Sequence, residues 1–192
     1  MPSDPLILAF DTSAAHCAAA LLSGDRILAS HAEEMTKGQA ERLFPILDAL
    51  LLSAEKQWSD IDRIGVGIGP GNFTGIRIAI SAARGLALSL NCPAIGVSTF
   101  KVIHHLNASR TAAVPAPRDM AYALRPGEAE PTFGPLSDVD APALPPAARD
   151  WAETIARIAA QTDPETSAPP APLYLRPADA APPRDAPPEI VQ

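Results

Sequence analysis

Asp11, Thr12 and Ser13 close an apolar run, and residues 65–78, GVGIGPGNFTGIRI, place glycines at 65, 67, 69, 71 and 75 between an apolar run and a helix-like one. An aspartate at a strand end followed by hydroxyls suits a nucleotide–metal site, and the same residues suit a polar turn closed by an Asx-type bond. A glycine-rich turn before a helix suits phosphate, because the first amides of a helix have no partner within it. The two familiar forms of that loop fail here. A Walker loop needs Gly-Lys followed by Ser or Thr, and no lysine follows these glycines until Lys101. A dinucleotide fingerprint needs GxGxxG and an acid at the end of the next strand, whereas Gly69 and Gly71 are followed by Thr74, Gly75 comes one place late, and residues 63–118 contain no carboxylate. What survives is a strand, a turn at Gly69-Pro70-Gly71-Asn72, and a helix whose amides near Thr74 and Gly75 could meet an anion. Close packing of that helix on a sheet requires the same glycines.

Other chemistries find little support. Ser13 and Cys17 lie near His16, but no GxSxG elbow is present. Histidines 16, 31, 104 and 105 form no HExxH or HxxxH pair, so no metal site is expected, and Cys17 and Cys92 form no CxxC. The net charge is −7, with acid concentrated beyond residue 110, so direct nucleic-acid binding by this chain alone is not expected. Arg63, Arg77, Arg84, Lys101, Arg110 and Arg118 fall in the carboxylate-free stretch and could attract an anion or simply be solvated. The N-terminus lacks a basic region and its apolar run stops at Asp11, which makes a poor signal peptide; no membrane segment is expected, and the cysteine usage fits a reducing, cytoplasmic setting.

The elements that must position these residues follow from periodicity. Residues 6–10 read as a buried strand, and 16–22 and 26–31 flank the turn Ser23-Gly24-Asp25, predicting an antiparallel start. Residues 39–54 place Ala40, Leu43, Phe44, Leu47, Leu51 and Ala54 at helical spacing, with Pro45 requiring either a bend or a later start. A strand at 63–68, a helix at 74–90, a short strand at 94–97 and a helix from Ser98 follow. Both long helices are apolar over more than one face; periodicity alone favours their being sandwiched inside the fold. Beyond residue 110 lie 17 of the 22 prolines. One strand around 119–125 and a helix at 146–161 with Trp151, Ile155 and Ile158 inward are expected there, and the proline-rich remainder should run extended over a surface.

ILAFDTS, GQAERLFPILDALL, GVGIGPGNFTGIRIAISAARGLAL, AIGVSTF and the late PLYLRP together closely resemble the bacterial TsaB family, also called YeaZ, densely over residues 6–103 and patchily beyond 110. The resemblance implies an α/β, actin-like (ribonuclease-H-like, ASKHA) fold, with a complete first lobe at 1–104 and a trimmed, proline-rich second lobe and tail at 105–192. Members of the family usually run longer. The family's DARxGEVY-like strand reads PAPRDMAY at 115–122, keeping Arg118 and Tyr122 with Pro115 in the acid's place, and Gly38 stands where relatives often have His.

The resemblance further implies a non-catalytic scaffold for TsaD, the subunit that transfers a threonylcarbamoyl group to the adenosine beside the anticodon. A TsaE-like ATPase completes the complex, tRNA is met only through it, no cofactor is intrinsic, and ATP and magnesium are used by the partner subunits. Helices 39–54 and 74–90 would then form the partner interface, which reverses the sandwiched preference. Leu43, Leu47, Ile76, Ala79 and Ala83 are the expected interface or interface-supporting positions, with Arg77 and Arg84 at the rim. Gly69, Pro70, Gly71 and Asn72 form a structural turn. Asp11, Thr12, Ser13, Gly71 and Thr74 are the candidates should nucleotide bind. On this reading Ala79→Arg abolishes partner binding and leaves the monomer folded. The alternatives are an ATP-dependent kinase or ATPase of the same fold, a protease, and a homodimer of unrelated role.

Overall fold

A computed structural model describes residues 4–175. Its first sheet runs in the order β3-β2-β1-β4-β5. Strands β1 (Leu6–Asp11), β2 (His16–Ser23) and β3 (Arg26–Glu34) are antiparallel neighbours, and β4 (Arg63–Gly67) and β5 (Ala94–Val97) join parallel to β1. The turn at Gly24, where φ is +56°, closes the β2–β3 hairpin. Between β3 and β4 lies α1 (Gln39–Ser53), and between β4 and β5 lies α2 (Phe73–Leu90). Strand alternation sends Leu6, Leu8 and Phe10 of β1, with Cys17, Ala19 and Leu21 of β2, into one core beneath α1 and α2. Ile7 and Ala9, with Ala18, Ala20 and Leu22, face α4 (Ala148–Gln161) on the opposite side. The result is a helix–sheet–helix sandwich around one sheet.

α1 starts at Gln39 and continues through Pro45, which faces solvent; the helix neither starts late nor stops there. It follows Gly38, whose φ of +87° suits glycine. Asn72 caps α2, its side chain accepting from the Gly75 amide at 2.8 Å, and Asn91, in the left-handed region, ends it. By length and composition α2 could cross a bilayer. Here its Gly75, Ile76, Ala79, Ile80 and Ala83 stripe sits on the sheet.

The second lobe departs most from expectation. α3 (Thr99–Leu106) leads into a three-stranded antiparallel sheet, β6 (Ala112–Ala116), β7 (Met120–Leu124) and β8 (Thr132–Pro135), where one strand was predicted. Pro115 sits on β6, an edge strand, where a missing N–H is tolerated, so proline counting understated this sheet. Phe100, Ile103, Ala112, Val114 and Ala143 form its small core. α4 lies beyond residue 105 yet packs on the first sheet through Trp151, Ala152, Ile155, Ala156 and Ala159; Ile158 is only half-buried. Arg63 secures the end of α4, donating from Nη1 to the carbonyls of Ala159, Ala160 and Thr162 at 2.6, 3.1 and 2.8 Å. Residues 167–175 run without regular structure, as expected for their prolines; the rest of the expected extended tail, 176–192, lies outside the described residues.

Candidate functional site

The end of β1, the glycine-rich turn and the start of α2 meet at one point. Asp11, Thr12 and Ser13 are buried there, at 0%, 0% and 1% exposure. The Asp11 carboxylate accepts from the Ser13 amide (2.8 Å), from Ser13 Oγ (3.0 and 2.9 Å) and from His16 Nε2 (2.8 Å). Ser13 and His16 therefore share one acceptor: the serine hydroxyl hydrogen-bonds to the carboxylate and not to the imidazole, which differs from a relay in which histidine activates serine. The Thr12 hydroxyl donates to the Gly75 carbonyl at 2.7 Å.

The glycines admit this approach. A side chain at Gly67 would overlap the Asp11 carboxylate, and one at Gly71 or Gly75 would overlap the carbonyl of Ser13 or Thr12. The Asn72 amide donates to the Ser13 carbonyl at 2.6 Å, and Thr99 ties the other side of the turn, its amide bonding to Gly69 O (2.8 Å) and its hydroxyl to Pro70 O (2.9 Å). The chain's own 11–13 turn thus packs directly against Gly71 and Gly75. Of the nucleotide candidates, Gly71 and Thr74 are exposed and Asp11, Thr12 and Ser13 are buried, with Ser13 and Gly71 at the edge of a large cleft.

A groove of about 700 Å³ runs between the outer faces of α1 and α2, lined by Ala40, Phe44, Phe73, Ile78, Ala82 and Gly85 among others. Phe44 is 44% and Phe73 37% exposed. Leu43 reaches the groove floor but is 1% exposed, and Leu47, Ile76, Ala79 and Ala83 are wholly inside the core. These five therefore support the groove from below and offer a partner no free surface. The expectation for Ala79→Arg fails with them, because a guanidinium at 0% exposure would be driven into the core beneath α2. The helix pair is not sandwiched: one face lies on the sheet and the other carries Phe44, Leu52 and Leu88, the last two 80% and 86% exposed.

Of the rim cations, Arg84 is exposed, whereas Arg77 has partners within the chain. Its Nε donates to the Tyr174 hydroxyl at 2.9 Å, and its guanidinium lies 3.9 Å from the centre of the Phe73 ring, which stacks on Tyr174 at 4.9 Å. Arg110 likewise donates to the carbonyls of Ala141 and Pro142, so three of the six cations in the carboxylate-free stretch serve the fold. A second, larger cleft of about 1450 Å³ opens between the 13–15 turn, the glycine-rich turn, the β6–β7 hairpin and residues 173–175. Among the described residues no group of three or more His, Cys, Asp or Glu side chains could hold a metal ion.

Residues 27–125 match the family model "TsaD: tRNA N6-adenosine threonylcarbamoyltransferase". The Escherichia coli (strain K12) tRNA threonylcarbamoyladenosine biosynthesis protein TsaB is 40% identical over 93 residues, covering 48% of this chain and 40% of that protein. The chain belongs to the TsaB (YeaZ) family. A second TsaB, from Buchnera aphidicola subsp. Schizaphis graminum, is 36% identical over 98 residues, 51% of this chain and 46% of its own length. The crystal structure of an uncharacterised Pseudomonas aeruginosa protein with similarity to peptidase YeaZ superposes with a TM-score of 0.68 at 28% identity, over 90% of this chain and 100% of that one. This TsaB-family chain shares the α/β fold of that YeaZ-like structure, with its first sheet in the order β3-β2-β1-β4-β5. It spans less than half the length of the curated relatives named here.

Sequence reasoning missed the residues that open the groove. Their signal was helical phase: in α2 the stripe 75/76, 79/80 and 83 is inner, so Phe73, Ile78, Ala82 and Gly85 fall on the outer side. Tyr174, in the PLYLRP motif, had no local periodicity to mark its contact with α2.

Proposed function

We propose that this TsaB-family chain is a cytoplasmic, non-catalytic scaffold in tRNA threonylcarbamoyladenosine biosynthesis, docking a TsaD-like catalytic subunit through the α1/α2 groove. The observation that carries this reading is the open apolar groove itself. Two helices fully satisfied on their sheet side nevertheless keep Phe44, Phe73, Ile78 and Ala82 along a shared outer face. Small residues at Ala82 and Gly85 let a partner helix come close. Burying such a face contributes about 25 cal/mol per Å² of apolar surface, and a stable interface takes about 800 Å² from each partner, more than the groove alone, so the exposed Leu52 and Leu88 flanks join it. Association selects the partner arrangement competent for transfer. tRNA and a TsaE-like ATPase are met through the complex, and ATP and magnesium belong to the partner subunits. A homodimer through the same groove competes with the heterodimer.

Two catalytic readings are weaker on this geometry. An ATP-dependent enzyme needs Asp11 open to a metal–nucleotide, and Asp11 is held by Ser13 and His16 beneath Gly67. A serine peptidase needs Ser13 bonded to His16, and both donate to Asp11 instead.

Gly85→Arg tests the groove directly. A side chain here meets nothing within 4 Å, so the fold tolerates it while the groove is blocked. Titration of a TsaD-like subunit should show binding to the native chain and at least tenfold weaker binding to Gly85→Arg. Equal binding by both, or none by the native chain, contradicts the proposal.

A further inference from the structure

The segment after α4 touches both lobes and ends against the start of α2. Pro170 is buried beside Gly96 of β5, where an added Cβ would lie 3.5 Å from its Cα, and the Leu173 amide donates to the Ile68 carbonyl at 2.9 Å. Leu173 and Leu175 pack on the small core of the second lobe. Tyr174, between them, turns the other way: its ring stacks on Phe73 at 4.9 Å with the planes 25° apart, and its hydroxyl accepts from Arg77 Nε at 2.9 Å. The Arg77 guanidinium lies 3.9 Å from the centre of the Phe73 ring and 5.9 Å from that of Tyr174. Phe73 and Arg77, one helical turn apart, line the α1/α2 groove, whereas Tyr174 lines the interlobe cleft behind them. Phe73 is 37% and Tyr174 41% exposed, so their stack adds little to the core.

We propose that Tyr174 is a positioning residue for docking: anchored on the second lobe through Leu173 and Leu175, it holds Phe73 and Arg77 in the arrangement that ends the groove. This inference rests on the groove being the partner surface. Without Tyr174, Arg77 on its exposed face of α2 keeps many rotamers, and a partner has to order it on arrival. The ring and hydroxyl of Tyr174 order it beforehand. Fixing one such side chain in advance changes affinity by about two- to tenfold. The contact also gives the second lobe a part in docking, although the groove lining itself comes from α1 and α2.

The experiment titrates a TsaD-like subunit against the full chain, native and with Tyr174→Ala or Tyr174→Phe, each repeated in a Phe73→Ala/Arg77→Ala background, with Gly85→Arg as the control for the groove. Tyr174→Ala should weaken binding about fivefold, and Tyr174→Phe, which keeps the stack and loses the hydroxyl, by a smaller factor. Unfolding midpoints should stay near native; where Tyr174→Ala lowers its own, Tyr174→Phe carries the same comparison. In the doubly substituted background Tyr174→Ala should cost nothing further, because Tyr174 acts through those two side chains. A reading without the partner follows the Arg77 Nε–H signal of the ¹⁵N-labelled chain, which should exchange with water slowly in the native chain and fast in Tyr174→Phe. Native affinity in both Tyr174 variants, with Gly85→Arg still blocking, overturns this proposal and leaves the groove reading standing. A loss that persists in the doubly substituted background, or an Arg77 Nε–H that exchanges equally fast in native and Tyr174→Phe chains, does the same. A native chain that binds no TsaD-like subunit, or binding that ignores Gly85→Arg, overturns the groove reading and this proposal with it.

Discussion

Asn72 and Ser13 lie 59 positions apart, yet the Asn72 amide donates to the Ser13 carbonyl at 2.6 Å while the Asn72 side chain caps the Gly75 amide at 2.8 Å. One residue thus fastens the glycine-rich turn to the end of β1 and starts α2. The turn resembles a phosphate loop in composition and serves here as a joint between chain segments.

Gly75→Ala tests the joint. The added methyl overlaps the Thr12 carbonyl, a backbone atom held by β1 and by the Thr12 hydroxyl bond to Gly75 O. Forced repacking of this kind destabilises by about 1–3 kcal/mol. Denaturant unfolding should show the midpoint falling with an unchanged slope, whereas Gly85→Ala, in open space within the same helix, should stabilise by about 0.5–1 kcal/mol.

Asp11→Ala leaves the Ser13 amide and His16 without their shared acceptor in a site closed to water. A loss of about 1–3 kcal/mol in unfolding free energy is expected from the unpaired donors. If Asp11 were instead the metal ligand of an ATPase, the variant would lose ATP turnover at little cost in stability.

The two cysteines differ in reactivity. Burial pushes the Cys17 thiol up to about 12, with Glu33 and Asp11 adding to the effect, and burial raises Cys92 as well. Because the thiolate is the nucleophile, iodoacetamide at pH 8 should leave Cys17 unlabelled in the folded protein and label it on unfolding. Cys92, half-buried, should react slowly and first. Mass spectrometry of timed samples distinguishes the sites.

Glu33 gives a pH dependence with a definite sign. Its hydrogen bonds to Arg42, helped by His31, hold the carboxyl at about 2 against its usual 4.5. A carboxylate lowered on folding contributes stability that is complete above its unfolded value and is lost as pH falls from 4.5 toward 2. Glu33→Gln should flatten the acid side of the stability profile over that interval, and only slightly, because the pair is solvent-exposed and screened.

The first lobe was legible because strand alternation and helical spacing have distinct periods: the β2–β3 hairpin, α1 and α2 all fall within a few residues of their predicted bounds. The second sheet was obscured by prolines that edge strands accept, as at Pro115. At the site, residue type was informative and phase was not fully used. Leu43, Leu47, Ile76, Ala79 and Ala83 share the helical phase that faces the sheet, which is why they are buried, and the groove is left to Phe44, Phe73, Ala82 and Gly85 on the other phase. Contacts between distant segments, such as Tyr174 on Phe73 and Arg63 on the end of α4, leave no trace in local pattern.

The most direct test of the scaffold proposal is threonylcarbamoyladenosine formation on unmodified tRNA, with a TsaD-like subunit, a TsaE-like ATPase and the adenylate-forming enzyme present. Product should depend on adding the native chain and fall at least tenfold with Gly85→Arg at equal stability. Product that forms equally without the chain, or equally with Gly85→Arg, contradicts the groove as the working surface of this protein.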